Sequence, residues 1–474
     1  MKKIFYISLV ILSVTSCKDD FIDEMPTTQL PIELAIRNSD DLNKGVVGLY
    51  AALQGEQIND LINFSELITD NGLLSNSNNG QYSEIYNMNY TPNSGKITRF
   101  WNAFNDVVIK ANWVLSFDGK FKTDEGVTNL FAEAKIMRAY ARLQLANYFC
   151  ERYGGANQQL GLVINNNYVA TDITTTYPRS TVQETYDAIE EDLLFAIDHM
   201  TAENEDNPEF IHTPIEAKAK RMNLLSAYVL MSRVQLYKRE WAKAIMYGNV
   251  ANTLLTGDFE ETPRTNPFTI IDNANKSSIF QLLFDASSSL GINSLFSYWG
   301  TTGSYRQFYA TSEFYEGIPS SDGRRSIYTL AADDIYDDPK PFIAKKFGSN
   351  FVYDIVLIRK AEIDFNIIEA TYYQNPTQAR DLLNSWIKTN RDPSYNSTST
   401  GTAILDDILK QRRIEFAFEG HRFMDLKRND QGWTKGANYL GSHRQVSIND
   451  KEQCLPIPLV EMTVNHKMVQ NPGY

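Results

Sequence analysis

Arg412-Arg413-Ile414-Glu415-Phe416-Ala417-Phe418-Glu419-Gly420-His421-Arg422-Phe423-Met424-Asp425-Leu426-Lys427-Arg428 is the stretch whose reading decides the fold. Ahead of it Ile404, Leu405, Ile408 and Leu409 recur at helical spacing, and the apolar stripe continues to Phe416. This predicts a helix with one face on a core. Gly420 is expected to stop that helix in the left-handed conformation, leaving His421 and Arg422 where cations suit the helix dipole. Arg412 and Glu415, Glu419 and Arg422, and Arg422 and Asp425 are each three residues apart, which predicts a lattice of local ion pairs. His421 among Glu415, Glu419 and Asp425 also has the composition of an acid/base site. An ion-paired structural corner is the reading adopted, because structural networks commonly mimic sites.

The rest of the composition sets bounds on function. At 474 residues, 43% hydrophobic and 22% charged, the chain is globular in character and long enough for a large core. Its net charge is −13, and loss of Lys2 and Lys3 with a leader would lower it by two more. That argues against a nucleic-acid partner, whose affinity comes mainly from neutralised phosphates. Cys17, Cys150 and Cys454 are odd in number, which fits if Cys17 is modified. The remaining two are read as free thiols, since one isolated pair makes no disulfide framework.

Lys2 and Lys3 precede an apolar run from Ile4 to Val14, too short to span a bilayer and the right length for a signal-peptide core. It ends in Val14-Thr15-Ser16-Cys17, which resembles the lipobox of bacterial lipoproteins, so residues 1–16 are read as a leader and Cys17 as the lipidation site. Residues 17–38 are then a lipidated tether and entry segment, and 39–474 a single folded domain.

Helices dominate that domain. Ser39 is expected to cap the first, with Leu42, Val46, Leu49 and Leu53 on one face. Ile97, Phe100, Trp101, Phe104, Val107, Val108, Ala111 and Val114 predict a second, and a long helix should run from Thr128 to Tyr153, stopped by Gly154-Gly155. Thr181 with Glu184, and Thr213 with Pro214 and Glu216, signal two further starts. Ser232, Trp241, Ala244 and Ala251 fall at the small and bulky positions of a tetratricopeptide repeat, although no strict period of about 34 residues recurs. Helices are also expected at Arg359 to Tyr373 and Gln378 to Thr389, and a short strand at Ser278 to Phe284.

Periodicity fails twice, near 71–96 and near 256–342. The first stretch is rich in asparagine and carries Tyr82, Tyr86 and Tyr90; the second sets Phe296, Tyr298, Trp299, Tyr305, Phe308 and Tyr309 among glycines and polar residues. Loops this long are commonly functional. Tyr298, Trp299 and Tyr305, helped by Tyr82 and Tyr86, are the expected ligand platform, with Trp299 on a tight, exposed turn beside Gly300.

The Arg412 to Arg428 run closely resembles the C-terminal signature of the SusD/RagB family of nutrient-binding outer-membrane lipoproteins. Phe21-Ile22-Asp23-Glu24-Met25-Pro26, Arg138-Ala139-Tyr140, Ser321-Asp322-Gly323-Arg324-Arg325, Leu455-Pro456-Ile457-Pro458 and Gln470-Asn471-Pro472-Gly473-Tyr474 resemble other family elements. Lys18-Asp19-Asp20 resembles the acidic tag that directs such lipoproteins to the outer face. The resemblance implies a mainly α, SusD-like fold of tetratricopeptide-like helix pairs with long irregular loop insertions and a few short strands. It further implies a surface lipoprotein of the outer membrane that passes nutrient oligomers to a SusC-like, TonB-dependent transporter.

Glycan is the expected cargo, because sugar rings lay apolar faces on Tyr or Trp while hydroxyls bond to Asn, Asp and Arg. A peptide ligand, a tetratricopeptide-like interaction scaffold and a glycoside hydrolase are the alternatives. The chain lacks a G-x-S-x-G elbow, a P-loop, a Rossmann glycine fingerprint and H-E-x-x-H. Its histidines, His199, His212, His421, His443 and His466, are too dispersed in sequence to suggest a metal site, so neither enzyme, metal nor cofactor is expected.

Overall fold

The computed structural model describes residues 35–76, 78–120, 125–168, 175–201, 221–255, 261, 277–300, 308–331, 340–347 and 351–474. Cys17, the Thr213 helix start and Tyr305 lie outside them.

The N-terminal half is a run of helices, each packed on the next. Helix α1 (Ser39–Leu53) buries Leu42, Val46, Leu49 and Leu53 as its spacing requires. Its cap is Asn38, one residue earlier than expected, whose side chain accepts from Asp41 N at 2.9 Å. Helix α2 (Glu56–Ile68) is buried on nearly every side. After β1 (Gly72–Leu74) and the single turn α3 (Ser83–Tyr86) come α4 (Gly95–Leu115) and α5 (Glu125–Phe149), which pack together and against α1. Helix α6 (Val182–His199) opens on the capping box read from sequence: Thr181 Oγ1 accepts from Glu184 N at 3.0 Å, and Glu184 accepts from Thr181 N at 2.7 Å.

Helices α7 (Leu224–Tyr237) and α8 (Trp241–Leu254) form the tetratricopeptide-like hairpin, with Ser232 Oγ donating to Ala244 O at 2.9 Å. Gly248 lets α8 close on the next pair, because a Cβ there would lie 2.7 Å from Ile367. That pair is α11 (Lys360–Tyr372) and α12 (Pro376–Asn390).

Between the helix pairs lies an insertion of short elements: β2 (Ser278–Leu282), α9 (Leu295–Trp299), β3 (Phe308–Ala310), α10 (Ser312–Glu316), β4 (Tyr328–Leu330), β5 (Phe342–Ala344) and β6 (Ile355–Arg359). Strands β2 and β6 pair antiparallel, while β1, β3, β5 and β4 form a four-stranded antiparallel sheet in that order. Thus the two stretches without helical periodicity find each other, Leu73 pairing with Tyr309. Alternation was too short to show in sequence, because β1 and β3 are three residues each.

Helix α13 (Ala403–Glu415) delivers the Arg412 segment, and α14 (Arg422–Arg428) follows. Strands β7 (Trp433–Thr434) and β8 (Gln445–Val446) and helix α15 (Leu459–Val464) complete the chain. Gly420 is left-handed, φ +85°, as expected. The helix nonetheless ends at Glu415, and His421 begins the next helix rather than sitting at the end of the first.

The expected lattice of local pairs is corrected too. Glu415 turns to Arg391 at 2.7 and 2.9 Å, Arg359 at 2.7 Å and Arg324 at 3.1 Å. Glu419 takes Arg359 and Lys346, and Arg422 reaches back to Asp70 at 2.8 and 2.9 Å. None of the three expected pairs forms; the near-neighbour pair in this segment is Asp425 with Arg428, at 2.6 Å. The break after Glu415 takes Glu419 out of helical register with Arg422; the other two pairs share a helix but lose to distant partners, Arg412 taking Asn366 at 3.1 Å and Arg422 taking Asp70.

Phe418 holds φ +63°, uncommon for a bulky residue, and persists because its neighbours over-determine it. Cys150 and Cys454 are free, with Cys454 Sγ donating to Cys150 O at 3.1 Å.

Burial alone would raise the pKa of Glu415, but Arg391 and Arg359 hold its carboxyl well below the usual range. Removing it leaves three buried guanidiniums sharing one carboxylate fewer, so Glu415→Ala should cost about 3–5 kcal/mol of stability, read from denaturant unfolding. An unchanged midpoint would remove the corner's structural role.

His421 and Glu66 make a pH prediction of opposing signs. Burial lowers His421 to about 4, against the pull of Glu362, Asp425 and Glu419, and burial raises Glu66 to about 7. The unfolded chain takes up a proton on histidine between pH 6.5 and 4 that the fold refuses, so this contribution is lost as pH falls. The fold keeps a proton on Glu66 between about pH 4.5 and 7 that the unfolded chain releases, so that contribution is lost as pH rises. The two oppose each other in wild type. His421→Gln should therefore be more stable at pH 5 than at pH 7, relative to wild type, by on the order of 2 kcal/mol. Equal pH dependence in the two proteins would count against a buried neutral His421.

Candidate functional site

Four of the five rings expected to face a ligand are described, and all four are interior. Trp299 is fully buried at the end of α9, where its Nε1 donates to Asn63 Oδ1 at 2.8 Å and its ring meets Phe308 at 5.3 Å and Phe418 at 4.8 Å. Tyr298 stacks on Phe308 at 4.8 Å and 10°. Tyr82 sets its edge against both, at 5.5 and 5.4 Å, and donates from Oη to Asp60 Oδ1 at 2.6 Å. Tyr86 belongs to a separate contact, edge-on to Tyr439 at 5.1 Å with the Lys435 ammonium over its ring at 4.5 Å.

The exposed turn expected at Trp299 is therefore corrected. Gly300 closes a buried helix, its N–H donating to Phe296 O at 2.8 Å. Glycine and polar residues nearby suggested solvent, but the insertion builds an aromatic core of its own.

Polar groups under these rings are tightly paired. Arg99 grips Asp60 through Nε and Nη2 at 2.8 and 2.7 Å, and Lys96 lies 3.9 Å over the Tyr82 ring. Burial keeps the Asp60 carboxyl above its ordinary value even though Arg99 and Tyr82 oppose the shift.

The file of rings continues outward. Phe418 meets Phe314 at 5.9 Å and Tyr328 at 6.1 Å, and Tyr328 meets Tyr315 at 6.2 Å. Tyr315, on α10, stacks on Phe342 of β5 with centroids 3.6 Å apart and planes 18° apart. The Arg325 guanidinium lies 4.1 Å from the Tyr315 centroid and donates to Ile318 O at 2.6 Å.

Tyr315 and Phe342 are half-buried, and Glu316, Leu330 and Lys340 nearby in the chain are exposed. This group offers apolar ring area beside a cation and carboxylate, the mixture a sugar or other amphipathic ligand needs. Sequence reading noted Arg325 but passed over Tyr315 and Phe342. Their pairing joins segments 27 residues apart, which no local pattern reveals. The patch itself holds no set of metal ligands; among the described residues His443, Asp450 and Glu452 are the group that converges.

Residues 345–474, which contain the ion-paired corner, match the SusD family, and residues 20–236 match a SusD-like family described as starch-binding associating with outer membrane. The chain belongs to the SusD/RagB family. The two matches leave 237–344 uncovered, which is where most of the insertion lies.

A curated relative, SusD-like protein P2 of Formosa agariphila, is 24% identical across 100% of this chain and 99% of its own length. A structure described as a putative sugar binding protein from Bacteroides vulgatus has a TM-score of 0.81 at 23% identity, covering 93% of this chain and 99% of that one. A laminarin binding SusD-like protein gives a TM-score of 0.72 at 20% identity, covering 93% and 100%. At these identities the structural likeness establishes the SusD fold, which is mainly helical as expected.

Trp299 now carries a stability prediction. Trp299→Ala empties a fully buried site and strands Asn63, so it should destabilise by about 3–5 kcal/mol, read from the urea midpoint. A variant as stable as wild type would contradict this packing.

Proposed function

We propose that this SusD-family chain is a cell-surface binding lipoprotein that captures glycan oligomers and delivers them to a SusC-like, TonB-dependent transporter, without catalysing a reaction. The observation that carries the ligand assignment is the half-exposed stack of Tyr315 on Phe342 with Arg325 beside it. With Phe342 on one face of Tyr315 and Arg325 over the other, a pyranose ring meets the exposed edges of the stack with its C–H groups while guanidinium and carboxylate groups take its hydroxyls. Tyr82, Tyr298 and Trp299 serve this surface from beneath, as the aromatic base that fixes the insertion.

Support for a glycan comes from the family description, starch-binding associating with outer membrane, and from the sugar-binding and laminarin-binding relatives. Support for the anchor comes from the leader 1–16 that runs up to Cys17, followed by a tether over 17–38 and a folded unit over 39–474. No helix among the described residues is long and apolar enough to cross a membrane. Two or more acyl chains on Cys17 would supply lasting attachment, since each buried methylene contributes about 0.8 kcal/mol.

A glycan-and-peptide array with laminarin and starch oligomers, followed by calorimetry, tests the reading. Tyr315→Ala should weaken glycan binding by about 1 kcal/mol or more with little change in melting temperature. Protein extracted in mild detergent should carry an acylated Cys17 and bring a SusC-type transporter with it. Binding to peptides alone, or intact glycan affinity in Tyr315→Ala, would overturn the assignment.

A further inference from the structure

The described chain buries six glutamates: Glu66, Glu133, Glu362, Glu369, Glu415 and Glu452. Five have side-chain hydrogen bonds: Glu66 from Asn71, Glu133 and Glu362 from Arg221 and Arg233, Glu369 from Arg428, and Glu415 from three arginines. Glu452 is the exception. Its side chain is 3% exposed, and the basic side chain within 4 Å of its carboxylate among the described residues is the His443 ring, Nδ1 to Oε1 3.6 Å, beyond hydrogen-bond reach. Asp450 adds a second carboxylate to the same place, and one atom from each of the three side chains lies within 4.8 Å of the others. A buried carboxylate beside another carboxylate is unfavourable until a proton or a cation neutralises the pair, and a cation can satisfy both at once.

We infer that His443, Asp450 and Glu452 form a binding site for a divalent transition-metal ion of the zinc class. An imidazole nitrogen with two carboxylate oxygens suits such ions, whereas calcium and magnesium favour all-oxygen shells. Ligand atoms about 2.0–2.2 Å from a tetrahedral ion sit about 3.4 Å apart. His443 Nδ1 and Glu452 Oε1 already meet that spacing, at 3.6 Å. The half-buried His443 and Asp450 leave the remaining coordination position to water.

The sequence hid this set because only one histidine takes part. Its position in the fold also gives it a purpose. His443 belongs to the β7–β8 connection, which packs Tyr439 on Tyr86 and places Ala437 N 2.6 Å from Glu313 Oε1 on α10. Asp450 and Glu452 belong to the turn after β8. A shared ion fastens that connection to the turn, fixing a loop that abuts both the first irregular stretch and α10.

Full-length mature protein freed of metal with EDTA and titrated with Zn2+ by calorimetry should bind one ion at this site and rise in melting temperature. Co2+ should give a visible d–d band. His443→Ala and Asp450→Asn should each weaken Zn2+ binding at least about tenfold, with melting temperature in EDTA unchanged. His466→Ala, altering an exposed histidine elsewhere, should leave Zn2+ binding intact. Absence of Zn2+ binding, Zn2+ binding indifferent to His443→Ala, or a preference for Ca2+ over Zn2+ would each overturn the inference.

Discussion

The structure depends on one carboxylate, Glu415, placed where Arg324, Arg359 and Arg391 converge with no exposure to solvent. These arginines come from the 3-10 turn at Gly323–Ile327, from the end of β6 and from the end of α12. A single charge thus joins the insertion to the last helix pair. Desolvating four charged groups is unfavourable, and only dense pairing offsets it: Arg324 also holds Asp322 at 2.6 Å, Arg391 holds Glu261 at 2.8 Å, and Arg359 holds Glu419 at 2.8 Å. An apolar cluster of the same volume would not specify this geometry, because guanidinium forks donate to carboxylates in few orientations.

From that corner follows the conformation of the next residues. With Glu415 and Glu419 both turned inward, the chain between them must reverse tightly, and Phe418 is driven to positive φ. Its ring then points at Trp299, 4.8 Å away, and through Phe314 and Tyr328 sets the depth at which Tyr315 stands. Tyr82, at the far end of the file, is also left-handed, φ +56°. Strain at one end and in the middle of a continuous aromatic core is a sign that packing, not local preference, dictates this insertion. The half-exposed rings inherit their rigidity from buried ones, which suits a binding surface that gains by preorganisation.

What was legible in the sequence was whatever acts over one or two helical turns. The stripe Leu42, Val46, Leu49 and Leu53, the Thr181 and Glu184 capping box and the small residues of the α7–α8 hairpin each act within a few residues, and each appears where expected. The corner was recognisable as ion-paired, but its partners were misjudged. Glu415 meets Arg324 across 91 residues and Arg359 across 56, separations at which sequence spacing holds no information. The exposure expected of Tyr82, Tyr86, Tyr298 and Trp299 failed for a related reason. Loss of periodicity around Tyr298 and Trp299 marked a change of architecture, not exposure, since a five-residue helix and strands of three residues bury aromatics as completely as long helices do.

The C-terminal region also shows two opposite electrostatic solutions within 40 residues. Glu415 has more cations than one carboxylate requires, and its arginines are shared outward to Glu419, Glu261 and Asp322, so the network closes on itself. Glu452 has a carboxylate neighbour and one distant imidazole, so its network stays open. A closed network fixes backbone permanently, which suits a corner where α13, β6 and α12 must meet in one register. An open one responds to what solvent supplies, and it sits on the connection beside Tyr86, Tyr439 and Glu313. Rigidity inherent in the chain is therefore concentrated under the aromatic file, and rigidity that depends on an added cation is confined to the loop at its edge.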